Sequence, residues 1–190
     1  MKKRLSLCVR AFFSLIHIVF AKITNAGMVK GSLIQDLALS VKLHPHDGGR
    51  IVLKKHIHAS RNVVFEAEGG ELQIGEGCFF NNGCMAVSHE SITIGDYTSF
   101  GPNVFIYDHD HVTGAGEKLH GNHYKTAPVT IGSNVWVGAN CVILRGTVIE
   151  DDCVIGAGSI IKGKYKKGSV VIQKRNEEIR EKREEAYSVV

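Results

Sequence analysis

The stretch from Ile131 to Ile161 repeats every six residues: IGSNVW, VGANCV, ILRGTV, IEDDCV, IGAGSI, then Ile161. A branched aliphatic residue returns at Ile131, Val137, Ile143, Ile149, Ile155 and Ile161. Four positions after each of the first five stands a small or compact residue: Val135, Cys141, Thr147, Cys153, Ser159. Neither a helix, with its period of 3.6, nor a strand, with its period of two, produces an unbroken six. A three-sided coil does: each hexapeptide lays down one short side, points an aliphatic residue at the axis and turns a corner. Repeats of this length are a sequence signature of parallel β-helices.

The same beat runs upstream at Ile94, Phe100 and Ile106, at Ile74, Phe80 and Ala86, and at Leu53, Ala59 and Phe65. Each set of three is one coil, so the expected fold is an all-β solenoid, a left-handed parallel β-helix of about five coils. Three coils precede a single insertion and two follow it. Stacked coils repeat at ~4.8 Å, the strand spacing, so residues at one repeat position form ladders along the axis. Gly75, Asn81, Asn82, Gly101, Gly132, Gly138 and Gly156 fall at corners, where a positive φ or tight geometry is needed. The expected divisions are an N-terminal helix over 1–25, the β-helix over 26–172 with a loop at 107–128, and a charged C-terminal helix over 173–190.

The ends differ in character. Met1-Lys-Lys-Arg leads into LSLCVRAFFSLIHIVFAKI, apolar but interrupted by Arg10, His17 and Lys22. Arg10 breaks the apolar centre that a signal peptide needs, and the stretch lacks the ~20 nearly uncharged residues of a spanning helix. It reads as an amphipathic helix that lies on an anionic membrane, caps the coil or packs on a neighbouring subunit. The C-terminal QKRNEEIREKREEAY is a charge-rich helical stretch of mixed sign. A net charge of +4 is mild and points to neither nucleic acid nor an acidic substrate. Five cysteines without paired spacing argue against a disulfide framework or a zinc ribbon. Those in the repeat fall in an inward register, as reduced, buried thiols of a cytoplasmic protein.

Between Ile106 and Ile131 the beat stops. This insertion holds four of the ten histidines, His109, His111, His120 and His123. A polar excursion from a rigid solenoid is where function is usually placed. Open coils pack side by side, and a loop reaching into the groove between two copies places His111 or His109 to act as a general base near neutral pH. Asp108 or Asp110 would orient the ring.

From about Ile74 to Ile161 the sequence resembles the hexapeptide-repeat acyltransferases, close to the galactoside, maltose and capsular-sugar O-acetyltransferases. The residues that carry the resemblance are FFNNGCMAV, ITIGDYTSFGPNVFIYDHDH, APVTIGSNVWVGANCVI and VIGAGSII. Counting on from Gly101-Pro102-Asn103-Val104, the resemblance puts the catalytic histidine at His111 and the acceptor-binding asparagine at Asn81. His89 stands where galactoside enzymes carry an acceptor-contacting acid, a departure that argues against a plain galactoside. Asp108 and His109 complete the implied acceptor site.

For the donor, acetyl-CoA, the resemblance implies Trp136 along the pantetheine groove, with Ala139, Gly156 and Ala157 offering main chain. Lys162, Lys174 and Arg175 would meet the CoA phosphates, although Lys162 replaces the family's threonine. It further implies a homotrimer with sites between subunits, a sugar or surface-polysaccharide precursor as acceptor, and no metal. Transfer would be direct, because inward cysteines cannot form an acyl-enzyme. A second class sharing this fold, the γ-class carbonic anhydrases, binds metal through three histidines from two subunits, and the loop histidines invite that comparison. Those enzymes space their histidines differently and lack the Asn-Val-Trp coil in this arrangement. A non-catalytic scaffold is the third reading.

Overall fold

The computed structural model describes residues 2–112 and 123–174, with side chains from residue 10 onward. After helix α1 (Lys2–Thr24) the chain winds in layers. The first coil is β1 (Val29–Gly31), β2 (Asp36–Leu37) and β3 (Lys42–His46); the second is β4 (Arg50–Leu53), β5 (His58–Ala59) and β6 (Val64–Glu68). The third is β7 (Glu71–Ile74), β8 (Phe79–Phe80) and β9 (Met85–Ser88); the fourth is β10 (Ser91–Ile94), β11 (Ser99–Phe100) and β12 (Phe105–Tyr107). A hairpin of β13 (His109–His111) and β14 (Tyr124–Thr126) interrupts them. The fifth coil is β15 (Val129–Ile131), β16 (Trp136–Val137) and β17 (Val142–Ile143); the sixth is β18 (Val148–Ile149), β19 (Val154–Ile155) and β20 (Ile160–Ile161). Strands β21 (Lys164–Tyr165) and β22 (Val170–Val171) add two sides of a seventh.

Stacked first sides form a seven-stranded sheet, second sides another of seven, and third sides one of six. Pairing within them is parallel throughout. The fold is the expected left-handed parallel β-helix. The five coils legible in the sequence are the second to the sixth. The structure adds one before them and two sides after. Gly31, Leu37 and Leu43 keep the six-residue spacing in that first coil, but Gly31, which stands opposite Leu53, carries no aliphatic side chain to mark the beat.

Every aliphatic residue of the six-residue series from Ile131 to Ile161 is at most 1% exposed. Phe80 stacks on Phe100 at 4.6 Å, and Phe65 meets Phe80 edge-on at 4.8 Å, all three fully buried in the core. The inward cysteines Cys78, Cys84, Cys141 and Cys153 are buried. Burial pushes the thiols of Cys84 and Cys141 up, and that of Cys78 to about 11, so none of the three is an activated nucleophile.

Of the two expected corner properties, positive φ or tight geometry, the glycines show the second. Gly75, Gly101, Gly132, Gly138 and Gly156 do not have positive φ; that conformation falls two residues later, at Gly77, Asn103, Asn134, Asn140 and Gly158. Gly75 is required for another reason: a Cβ there would lie 2.4 Å from the backbone carbon of Gly95 on the next coil.

Helix α1 caps the first coil. Ser14 Oγ donates to the Gln35 carbonyl and accepts from Leu37 N, each at 2.9 Å, while Ile18 and Ala21 are buried. Arg10 forks onto both oxygens of Asp36 at 2.9 Å. The expected C-terminal helix falls in 175–190, outside the described residues.

Candidate active site

Topology divides the sequence-predicted residues between two edges of the prism. Asn81, Ala139, Gly156 and Ala157 follow second-side strands, so they line the edge between the second and third faces, with Trp136 beside them on the second face. His89, Asp108, His109 and His111 follow third-side strands and line the edge between the third and first faces. Lys162 lies on this second edge, Lys174 follows β22 near the first, and Arg175 is outside the described residues.

The histidine edge is built from the coil register. Strand β3 pairs His46 with Glu68 of β6, β6 pairs Ala67 with Ser88, and β12 pairs Tyr107 with Val87. Continued one step, these registers stack Ser88 under Asp108 and align Glu68, His89 and His109 in one ladder. The centre of this edge is Asp108, fully buried. Its Oδ1 accepts from His89 N at 2.8 Å and from His109 Nδ1 at 3.3 Å. Its Oδ2 accepts from Glu90 N at 2.9 Å and the Ser88 hydroxyl at 2.8 Å. Burial raises its carboxyl, but the bonds from His109, the two amides and Ser88 outweigh burial and hold it below the usual carboxylate range. Since an ionised carboxylate only accepts, Nδ1 of His109 carries the proton.

The ring of His109, 12% exposed, lies 3.8 Å from that of His89 and 5.8 Å from that of Tyr107. The His89 side chain is 8% exposed, with Nε2 at 3.4 Å from Glu68. Burial first, and then the neighbouring His109, lower its pKa, so it is neutral at pH 7.

From Asp108 the chain leaves as the hairpin, in which His109 pairs with Thr126, Asp110 with Lys125 and His111 with Tyr124. Its base is closed by Ala127 N donating to the Asp108 carbonyl at 2.9 Å, and by an ion pair between Asp110 and Arg145 of the following coil. His111 is exposed, and its ring packs at 4.9 Å on Tyr124. It makes no side-chain hydrogen bond or ion pair to a described residue.

These contacts bear on the expected roles. Asp108 is buried with both of its oxygens occupied, and it bonds Nδ1 of His109. Asp110 does not orient His111, because Arg145 holds it. His89 and His109 are packed into the edge rather than presented from it, so a substrate contact from either ring does not fit their burial. Asn81 remains partly accessible, its Oδ1 accepting from Asn82 N at 2.8 Å. Tyr124, Glu68, Ser88 and Arg145 were not singled out in the sequence, because their roles arise from ladder register and an antiparallel pairing that no repeat announces.

On the other edge Trp136 is 59% exposed. The carbonyl of Ala139 accepts from Gly158 N at 2.7 Å. Gln173 folds back on the last coil, its amide bracketing Ile160 N and O at 2.9 and 2.6 Å, which brings Lys174 alongside the third face. Among the described residues the one group of three metal-binding side chains is His46, Asp47 and Glu68. It includes none of the loop histidines.

Residues 128–163 match the family model described as bacterial transferase hexapeptide (six repeats). A galactoside O-acetyltransferase of Escherichia coli (strain K12) is 37% identical over 98 residues, 52% of this chain and 48% of that protein. The chain therefore spans about half the length of this curated relative. A maltose O-acetyltransferase from Clostridium difficile 630 superposes with a TM-score of 0.51 at 27% identity, covering 75% of this chain and 63% of that one. The N-acyltransferase AntD from Bacillus cereus, in complex with dTDP and 3-hydroxybutyryl-CoA, superposes with a TM-score of 0.63 at 16% identity, covering 79% and 81%, a likeness of fold. Residues 128–163 thus carry the bacterial transferase hexapeptide repeat, and the chain is similar to the hexapeptide-repeat acyltransferases, galactoside and maltose O-acetyltransferases among them.

Proposed function

We propose that this protein is an acetyl-CoA-dependent O-acetyltransferase acting on a sugar or a surface-polysaccharide precursor. The observation that carries this reading is His111, an exposed imidazole without a side-chain hydrogen bond to any described residue, held on a hairpin whose base is fixed by buried Asp108. His111 takes the proton of an acceptor hydroxyl, whose oxygen attacks the thioester carbon. The C–O bond forms as C–S breaks, backbone N–H groups stabilise the oxyanion, and the imidazolium returns its proton to the departing thiolate. A second reading, with His109 as base, is favoured only by its bond to Asp108 and opposed by its burial.

One chain does not bring the two edges together. Asn81, Trp136 and Ala157 belong to one edge and His111 to the other, so the site is completed when an edge of one copy faces the opposite edge of the next, as in a cyclic homotrimer. Trp136, exposed on the donor edge, lines the pantetheine groove. Calorimetric titration with acetyl-CoA, with zinc measured on the same sample, tests the donor. Binding in the micromolar to sub-millimolar range at one site per chain is expected. Trp136→Ala weakens it about tenfold, the loss of one buried aromatic contact. Absence of binding by the wild-type protein overturns the donor assignment, and stoichiometric zinc would return the metal-enzyme reading.

The protein works beside the inner leaflet of the membrane, in the cytoplasm. Outside the stripe docked on the first coil, α1 presents Phe12, Phe13, Leu15, Ile16, Val19, Phe20 and Ile23 to solvent, Phe20 at 64% and Ile23 at 73% exposure. A helix apolar nearly all round needs cover, yet no described helix is long and apolar enough to cross a membrane. Basic residues stand at both ends, Lys2, Lys3 and Arg4 at one and Lys22 at the other, which suits an anionic lipid surface. Sedimentation with phosphatidylglycerol-containing vesicles is expected to pull down the wild-type protein, less so at high salt, and to leave Phe12→Asp/Phe20→Asp in the supernatant. Equal partition of both proteins, with the variant changing oligomeric size instead, would assign this face to a second copy.

A further inference from the structure

The His111 ring is held by packing, since it makes no side-chain hydrogen bond or ion pair to a described residue. The packing runs back to the rigid coils in a short series. Tyr124, the partner of His111 across the hairpin, lies 4.9 Å from the His111 ring on one side and 4.1 Å from that of His89 on the other. His89 is held at its amide, at Nε2 and at its ring. Its amide is bonded to Asp108 at 2.8 Å, its Nε2 faces Glu68 at 3.4 Å, and its ring lies 3.8 Å from that of His109. The hairpin is otherwise short, with three residues on each strand, and two-stranded ribbons are marginally stable by themselves.

Resting on the reading of His111 as the base, we propose that His89 is a positioning residue: its ring is the platform that seats Tyr124, and through Tyr124 it fixes the His111 imidazole over the inter-subunit groove. His89 then touches neither acceptor nor donor. This role uses the ring's shape and its place in the stack rather than its capacity to carry a proton. Displacing a base by ~1 Å can cost up to about 10²-fold in turnover without weakening substrate binding.

The discriminating pair is His89→Ala and His89→Phe, each made in the full chain. Turnover is followed as thiol release from acetyl-CoA, with the probe acceptor drawn from a set of 4-nitrophenyl glycosides of different sugars. Trypsin cleavage after Lys125, on the second hairpin strand, reports hairpin opening independently of activity. His89→Ala is expected to lower kcat about 10–100-fold with both KM values within about twofold, and to speed cleavage after Lys125. His89→Phe, which keeps a ring but no titratable nitrogen, is expected to restore kcat to within about threefold of wild type and to restore protection. A Phe variant as slow as the Ala variant, with raised acceptor KM, would make His89 an acceptor contact and overturn the proposal. So would two variants with unchanged cleavage. If the wild-type protein binds acetyl-CoA but transfers nothing to the probe, the cleavage pattern still decides the platform, and only the acceptor assignment fails.

Discussion

Replacing His111 by alanine is expected to lower turnover by about 10²–10⁴-fold, the usual worth of a general base. Acetyl-CoA affinity should stay within about twofold, since His111 acts on the acceptor in the transition state. Steady-state kinetics with the probe acceptor and calorimetry on the same preparation measure both. The contrast with His109→Ala matters as much. The His109 ring is largely enclosed by His89, Tyr107 and Tyr124, with its Nδ1 bonded to Asp108, so its loss disturbs the edge without removing the base. A smaller loss of kcat and a lower melting temperature are expected for it. Wild-type turnover in His111→Ala, together with a collapse in His109→Ala, would move the chemistry to the Asp108–His109 pair.

The second large effect is on stability. Asp108→Ala leaves two backbone amides and the His109 Nδ1–H without their acceptor in a buried corner, while the Ser88 hydroxyl keeps the Glu71 carbonyl at 3.1 Å. A loss of about 3–5 kcal/mol is expected, the range for breaking a buried charged network by removing one partner. Asp108→Asn, keeping one acceptor oxygen but turning a second position into a donor, should fall between the two.

The pH dependence follows from the direction of the shift. The Asp108 carboxyl titrates lower in the folded protein than in the unfolded chain, so the unfolded chain takes up its proton first as pH falls. The contribution is complete above the unfolded value of about 3.9 and disappears as pH falls through the folded value. The difference in melting temperature between wild type and Asp108→Asn should therefore be constant from neutral pH to about pH 5 and shrink below about pH 4. A difference that stays unchanged into the acid range would show that the ionised carboxylate is not the stabilising form.

Much of the fold was written in the period alone. Six-residue spacing has one structural solution, and the inward series from Leu53 to Ile161 is buried as read. The first coil was hidden because glycine, Gly31, stands at its first repeat position, and the seventh because Tyr165 and Val171 bury only part of their surface. At the corners composition left positive φ and tight geometry open; the glycines supply the tight approach and the residue two further on supplies the positive φ.

The site divides along the same line. His111 is legible as the candidate base because it stands at a fixed count from Gly101-Pro102-Asn103-Val104 and in the one break of the repeat, both properties of the linear chain. The fates of Asp108, His89 and His109 were not legible: each is a polar residue beside the loop, and sequence alone does not separate one that faces solvent from one that is enclosed. Tyr124 and Glu68 reach His89 only through a hairpin register and a coil-to-coil step that varies along the chain, from 18 residues between Ile131 and Ile149 to 21 between Leu53 and Ile74. The sequence by itself determined the solenoid, its inward face and the candidate base at the break of the beat, because a repeat fixes which side chains share a direction. Only the tertiary structure decided which neighbours hold that residue, because contacts between coils depend on register and burial, and these exist only once the layers are stacked.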